Sequence, residues 1–174
     1  MNRFLSEQTI FAHREYVRTL RLKYSILEDG IPGIKNADIN KIFTAKIDKN
    51  DKREALARLA EITCHDMYFS SFEAECGIRS SLARHQYGSE DALAMCILHE
   101  GMKKDIKFIS IGIKQGRILI HASREYQTHF EVHTPKLMID VEEHAYFWDY
   151  GFDKEGYLKS ALEYLNLSKL DNNL

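Results

Sequence analysis

Apolar residues recur at helical spacing over two long stretches in the first half of the chain. Over residues 6–28 and again over 51–75, they are separated by three or four residues, as one face of an α-helix requires. The two series are Ile10, His13, Val17, Leu20, Tyr24 and Leu27, and then Leu59, Ile62, His65, Phe69 and Phe72. We therefore predict two long helices that pack as an antiparallel hairpin, with one histidine in each buried face.

Polar and small residues mark where these helices begin and end. Ser6 and Asp51 are the predicted N-caps, since their side-chain oxygens can accept hydrogen bonds from free N–H groups of the first turn. Gly30 follows the first helix and Gly77 the second, as expected of residues that terminate helices. A short helical turn is predicted between them, over residues 38–43.

The pattern changes to β-structure after Lys107. The runs Phe108–Ile113 and Arg117–Ala122 are rich in isoleucine, and Gln115-Gly116 between them predicts a tight hairpin turn. A third run, Lys136–Ile139, leads into Asp140. Shorter helices are predicted over residues 78–86, 89–101 and from Asp153 to Leu165.

These elements predict an α+β fold in two parts. An N-terminal antiparallel helical hairpin is expected over residues 1–76. A C-terminal α/β domain is expected over residues 77–174, with a small three-stranded antiparallel sheet flanked by helices.

Composition narrows the class of protein. The chain has 174 residues, 44% of them hydrophobic, and a net charge of −2, which together exclude a disordered chain. With no basic excess and no run of about 18 apolar residues, we expect neither nucleic acid nor membrane as a partner. The N-terminus lacks an apolar leader and the 3 cysteines are odd in number, which favours a cytoplasmic protein with free thiols.

Four residues are candidates for a metal site. His13 and His65 interrupt the buried faces of the two long helices, and Asp140 ends a buried strand. His144 follows four residues later, so a helical turn there would place it beside Asp140. Three imidazoles and one carboxylate suit iron, manganese, zinc or copper. The residues alone also fit a core in which hydrogen bonds satisfy these histidines.

Several segments resemble the iron/manganese superoxide dismutase family, in matching order along the chain. Residues 140–147, DVEEHAYF, resemble the family signature DVWEHAYY, and residues 64–69, CHDMYF, resemble a family segment in which Asn-His precedes Phe-Trp. Residues 87–89, YGS, are similar to FGS in the family. A serine and a threonine also precede His13 as in the family's first helix.

The resemblance implies a fold of the kind predicted above and a superoxide dismutase activity. It implies one Fe or Mn ion per subunit, held by His13, His65, Asp140 and His144, with a solvent molecule as a fifth ligand. The ion would cycle between two oxidation states while converting superoxide to O₂ and H₂O₂.

The resemblance also suggests roles beyond the ligands. Glu143 matches a glutamate that reaches the ligand histidine of the partner subunit, and Tyr146 matches a tyrosine at that interface, which implies a homodimer. Gln127 is the candidate for a glutamine that hydrogen-bonds the metal solvent.

The first helix departs from the family pattern, and two alignments compete. In the preferred one, His13 is the ligand, Val17 replaces a second histidine and Arg21 replaces a gateway tyrosine. In the other, Gln8 takes the ligand position. With His13 as ligand, Tyr16 lies one turn away and is the candidate for the gateway role.

Glu142 replaces the tryptophan of the signature, and this leaves the function open. A carboxylate there would add negative charge near an anionic substrate. The leading hypothesis is a superoxide dismutase, and the first alternative is a degenerate dismutase-fold protein that binds metal with little turnover. A zinc hydrolase and a metal-free helical interaction module are further alternatives.

Overall fold

The computed structural model describes residues 4–72 and 79–171. Its α-helices are α1 (Glu7–Gly30), α2 (Ile39–Thr44), α3 (Lys49–Ser70), α4 (Ser81–Tyr87), α5 (Glu90–Gly101), α6 (Thr128–Val132), α7 (Phe147–Tyr150) and α8 (Lys154–Glu163). Its strands are β1 (Phe108–Lys114), β2 (Arg117–Ser123) and β3 (Thr134–Asp140).

The predicted α+β class is confirmed. α1 packs against α3 at the N-terminal end, and a three-stranded antiparallel sheet follows with the order β2-β1-β3. The predicted domain boundary, between residues 76 and 77, lies outside the described residues.

The predicted N-cap of α1 is confirmed, whereas the predicted N-cap of α3 is wrong. Ser6 caps α1 as predicted, since its Oγ accepts the Thr9 N–H at 3.2 Å. The predicted Asp51 cap is wrong, because Asp48 precedes it and accepts the Asn50 N–H at 2.8 Å. The first turn of α3 therefore begins at Lys49 and includes Asp51.

α3 is also shorter than predicted, because it ends at Ser70. The next residue, Ser71, accepts the Met138 N–H on its Oγ at 2.8 Å and the Asn166 N–H on its carbonyl at 2.9 Å. These bonds tie the chain to β3 and to the C-terminal segment, so the helix stops there. Gly77, the predicted end, and Cys76 lie outside the described residues.

The buried face of α3 is broader than its apolar series indicated. Cys64 and Tyr68 are buried, while Leu59 and Phe69 are only partly buried. The reason is that α3 packs against α1 on one side and β3 on another. A helix covered from two directions does not keep a single apolar stripe.

The predicted hairpin at Gln115-Gly116 is confirmed. Both residues have positive φ angles, 51° and 71°, as the tight turn of a two-residue β-hairpin requires. β1 is thereby the central strand, and on its other side it pairs with β3, where Phe108 lies opposite Asp140. This pairing fixes Asp140 at the end of the sheet nearest the two long helices.

Two short helices, α6 and α7, were not predicted, because five and four residues are too few to show a helical period. Among residues 4–72 and 79–171, no helix has the combined length and apolar character needed to cross a membrane.

Candidate metal centre

Four side chains from separate elements converge at one point. His13 projects from α1 and His65 from α3, while Asp140 is the last residue of β3. His144 lies on a 3-10 turn, Glu143–Ala145, that follows β3 directly. One nitrogen or oxygen atom from each residue lies within 4.8 Å of the others. The structure thus brings together all four candidate ligands.

Asp140 Oδ2 is the centre of the group. It lies 3.2 Å from His13 Nε2, 3.4 Å from His65 Nε2 and 3.0 Å from His144 Nε2. The side chains of His13, His65 and Asp140 have no exposed surface, whereas that of His144 is 29% exposed. Three of the four ligands are therefore buried, and the group is open to solvent beside His144.

The hydrogen bonding of this group is incomplete in a way that fits a cation. Asp140 Oδ2 and both ring nitrogens of His13 are buried and make no hydrogen bond of good geometry, although Oδ2 lies 3.0–3.4 Å from three imidazole nitrogens. A buried polar atom without a partner costs about 1–3 kcal/mol. A metal ion bound to the four atoms would satisfy Oδ2 and one His13 nitrogen. Three imidazoles and one carboxylate form a donor set suited to a first-row transition metal.

Neighbouring groups orient two of the ligands. His65 Nδ1 lies 2.7 Å from the backbone carbonyl of Glu61. A carbonyl can only accept, so Nδ1 carries the hydrogen and the Nε2 lone pair faces Asp140. On the other ligand, Asp140 Oδ1 accepts the Glu142 N–H at 2.9 Å, which leaves Oδ2 directed at the three imidazoles.

The charges favour an ionised carboxylate at the centre. Burial acts to raise the pKa of Asp140, but the nearby His144 and His13 outweigh it and hold that pKa well below its usual value. Burial lowers the pKa of His65, which keeps the imidazole neutral. For His144, burial is opposed by the charge of Asp140, and the net effect is a raised pKa.

Tyr16 lies beside the group, at its open side. Its ring centroid is 4.7 Å from that of His144, and its hydroxyl donates a 2.8 Å hydrogen bond to Glu61 Oε1. Burial and the Glu61 carboxylate raise the pKa of Tyr16, so the phenol stays protonated. Sequence reasoning missed Glu61, although its spacing of four residues from His65 on α3 was a usable signal.

The remaining predicted residues lie farther out. Glu143 is exposed beside His144, and Tyr146 is buried within its own chain, stacked on Tyr157 with centroids 4.7 Å apart. Gln127 donates its amide to Glu125 at 3.1 Å, and no described contact links it to the four ligands. The roles assigned to these three residues therefore stay predictions.

The preceding residue, Tyr126, lines the site where Gln127 was expected. Its ring lies 6.3 Å from that of His65, and its hydroxyl donates to Glu142 Oε2 at 2.8 Å. Lys107 Nζ is 3.2 Å from the other oxygen of Glu142. The negative charge of Glu142 is therefore paired, and nothing in the sequence pattern indicated that Lys107 and Tyr126 would meet it.

Residues 80–173, more than half of the chain, match the family model described as iron/manganese superoxide dismutases, C-terminal domain. The match includes Asp140 and His144, whereas His13 and His65 precede it. A search of curated proteins found no match.

Proposed function

The chain belongs to the iron/manganese superoxide dismutase family, and we propose that it converts superoxide to O₂ and H₂O₂ with one Fe or Mn ion. The proposed ligands are His13, His65, Asp140 and His144. One observation carries the proposal: the two ligand candidates outside the family match converge with the two inside it, within 4.8 Å.

When bound, the metal would supply one-electron redox chemistry. One superoxide loses an electron and becomes O₂, and a second gains that electron and two protons and becomes H₂O₂. The chain's own residues would deliver those protons and hold the ligands. Tyr16 is suited to this task, because its phenol is protonated and hydrogen-bonded to Glu61 at the open side of the site. After each transfer, solvent would return a proton to Tyr16, which is 37% exposed, while Glu61 holds the hydroxyl in place as its hydrogen-bond acceptor.

The substrate would enter beside His144. The side chain of His144 is 29% exposed and Tyr16 is 37% exposed, whereas the other three ligands are closed off. Superoxide is a small anion, so uncompensated negative charge at this entrance would slow its approach. The pairing of Glu142 with Lys107 supports the proposal, because it removes much of that penalty.

We further propose a homodimer, with Glu143 reaching the partner subunit's site and Tyr146 supporting the interface. The exposed position of Glu143, directly beside His144, supports this assignment. The free thiols of Cys64 and Cys96 are consistent with the cytoplasm as the compartment.

The test is a superoxide-removal assay on protein loaded separately with Fe and with Mn, alongside metal analysis of the same samples. Activity well above that of the free ion, lost in His65→Ala together with the metal, is the expected result. Loaded protein that removes superoxide no faster than the free ion would overturn the proposal. A preparation containing mainly zinc would favour the hydrolase alternative, and unchanged metal content in His65→Ala would favour the metal-free module.

A second candidate function is metal binding with little turnover. The position of Gln127, hydrogen-bonded to Glu125 rather than near the ligands, favours it, as does the apolar Val17 in place of a histidine. Under this alternative, Glu142→Trp should raise superoxide removal sharply, because it restores the aromatic of the family signature. An unchanged rate would count against it.

A further inference from the structure

The outward nitrogen of His144 has one carboxylate of its own chain nearby. While Nε2 faces Asp140 at 3.0 Å, Nδ1 lies 4.0 Å from Glu142 Oε2. That distance is too long for a hydrogen bond but short enough for electrostatic attraction between the ring N–H and the carboxylate. Histidines that bind metals commonly direct their second nitrogen at such an acceptor, which fixes the orientation of the ring.

Glu142 is held in this position from three directions. Tyr126 donates to its Oε2 at 2.8 Å, and Lys107 Nζ lies 3.2 Å from its Oε1. Its own N–H donates to Asp140 Oδ1 at 2.9 Å. Lys107 also lies over the Tyr126 ring, 5.1 Å from the centroid, so the two side chains that hold the carboxylate support each other. The carboxylate therefore cannot turn away from His144 without breaking its contacts with Tyr126 and Lys107.

We infer that Glu142 is a positioning residue for His144, acting within the same chain, with Tyr126 and Lys107 as its supports. The inference rests on the proposed function only in taking His144 as a metal ligand. It differs from the role implied by family resemblance, in which Glu143 of the partner subunit meets this histidine. The replacement of tryptophan by glutamate in the signature would then be a gain of a supporting contact rather than only a loss of an aromatic wall.

The test compares Mn²⁺ binding by Glu142→Gln, Glu143→Gln and Glu131→Gln, each of which removes one negative charge. Glu142→Gln should weaken binding about tenfold, the lower end of the effect of losing a residue that orients a metal ligand. Glu131→Gln is the matched control, since Glu131 is an exposed residue of α6, and its affinity should equal that of the unmodified protein. The electron paramagnetic resonance spectrum of bound Mn²⁺ should change in Glu142→Gln alone, a readout that a loss of general stability would not move.

Two results would overturn the inference. One is an affinity and a spectrum unchanged in Glu142→Gln, and the other is a loss of affinity in Glu143→Gln with none in Glu142→Gln. Thermal unfolding of the metal-free variants checks that each is folded. Tyr126→Phe provides a second route, since it loosens Glu142 without changing any charge and should weaken binding in the same direction. Protein that binds Mn²⁺ tightly but removes no superoxide would overturn the proposed function and leave this inference standing.

Discussion

The hydroxyl of Tyr16 and the carboxylate of Glu61 are joined by a 2.8 Å hydrogen bond between α1 and α3. Glu61 is 8% exposed, and its backbone carbonyl accepts from His65 Nδ1 at 2.7 Å. Glu61 therefore contacts Tyr16 at the edge of the site and also orients the ring of His65, a candidate ligand. A change at this contact should be measurable in both stability and activity.

Tyr16→Phe should lower the free energy of unfolding by about 1 kcal/mol, because the nearly buried Glu61 carboxylate loses its donor. Superoxide removal should fall in the same variant, since the phenolic proton is gone. Urea denaturation and the activity assay measure the two effects. The control is Glu61→Gln, which keeps an acceptor for Tyr16 and should be less destabilising. Equal stability of Tyr16→Phe and the unmodified protein would show that the bond contributes nothing.

Lys107→Ala should slow superoxide removal several-fold at low ionic strength. Without its partner at 3.2 Å, Glu142 presents an uncompensated negative charge to an anionic substrate. The difference should shrink as salt is added, because salt screens the repulsion. Lys104→Ala is the matched control, since Lys104 is exposed in the same segment. A deficit that is independent of salt would mean that Lys107 acts through structure and not through charge.

A buried histidine pair beneath the sheet should make stability depend on pH. Ser110 Oγ lies 2.7 Å from His129 Nδ1 and 2.9 Å from His133 Nε2. Burial, followed by the charges of His121 and His133, lowers the pKa of His129 to about 3 from an ordinary value of 6.5. The unfolded chain therefore binds more protons than the folded chain between these two values.

The contribution of His129 to the stability of the fold is fully present above about pH 6.5. It is lost as the pH falls toward the pKa of about 3 that His129 has in the folded protein. For one such group, the free energy of unfolding changes by at most about 1.4 kcal/mol per pH unit. Denaturant unfolding of metal-free protein between neutral and mildly acidic pH would measure it. His129→Asn should flatten this dependence relative to the unmodified protein, and identical slopes would contradict the prediction.

Gly112→Ala should destabilise the sheet by about 1–3 kcal/mol through overpacking. A Cβ at Gly112 would collide with the Thr134 carbonyl oxygen and the His133 ring, at the point where the β1–β3 register shifts. Gly30→Ala is the matched control, since a Cβ there meets no atom within 4 Å. Thermal unfolding of both variants is the measurement. Equal melting temperatures would show that β3 moves aside without cost.

The sequence by itself determined the long helices, the three strands and the identity of the four candidate ligands. Helical spacing placed His13 and His65 in buried faces, and the strand ending at Asp140 placed His144 one turn later. These are local patterns, because the period of a helix or strand is set by the backbone over a few residues. The hairpin at Gln115-Gly116 was predictable for the same reason.

Only the tertiary structure decided what surrounds those ligands. The tertiary structure brings together β1, β3 and the segment before α6, and with them Lys107, Tyr126 and Glu142. The periodic pattern of a sequence does not show which separate segments will be in contact. The sequence did not indicate Tyr126, one residue from the predicted Gln127, since a short irregular segment does not reveal which way each side chain points. The broad buried face of α3 was also not predictable from the sequence. Burial depends on all the elements that pack against a helix, whereas the sequence shows only the pattern of the helix itself.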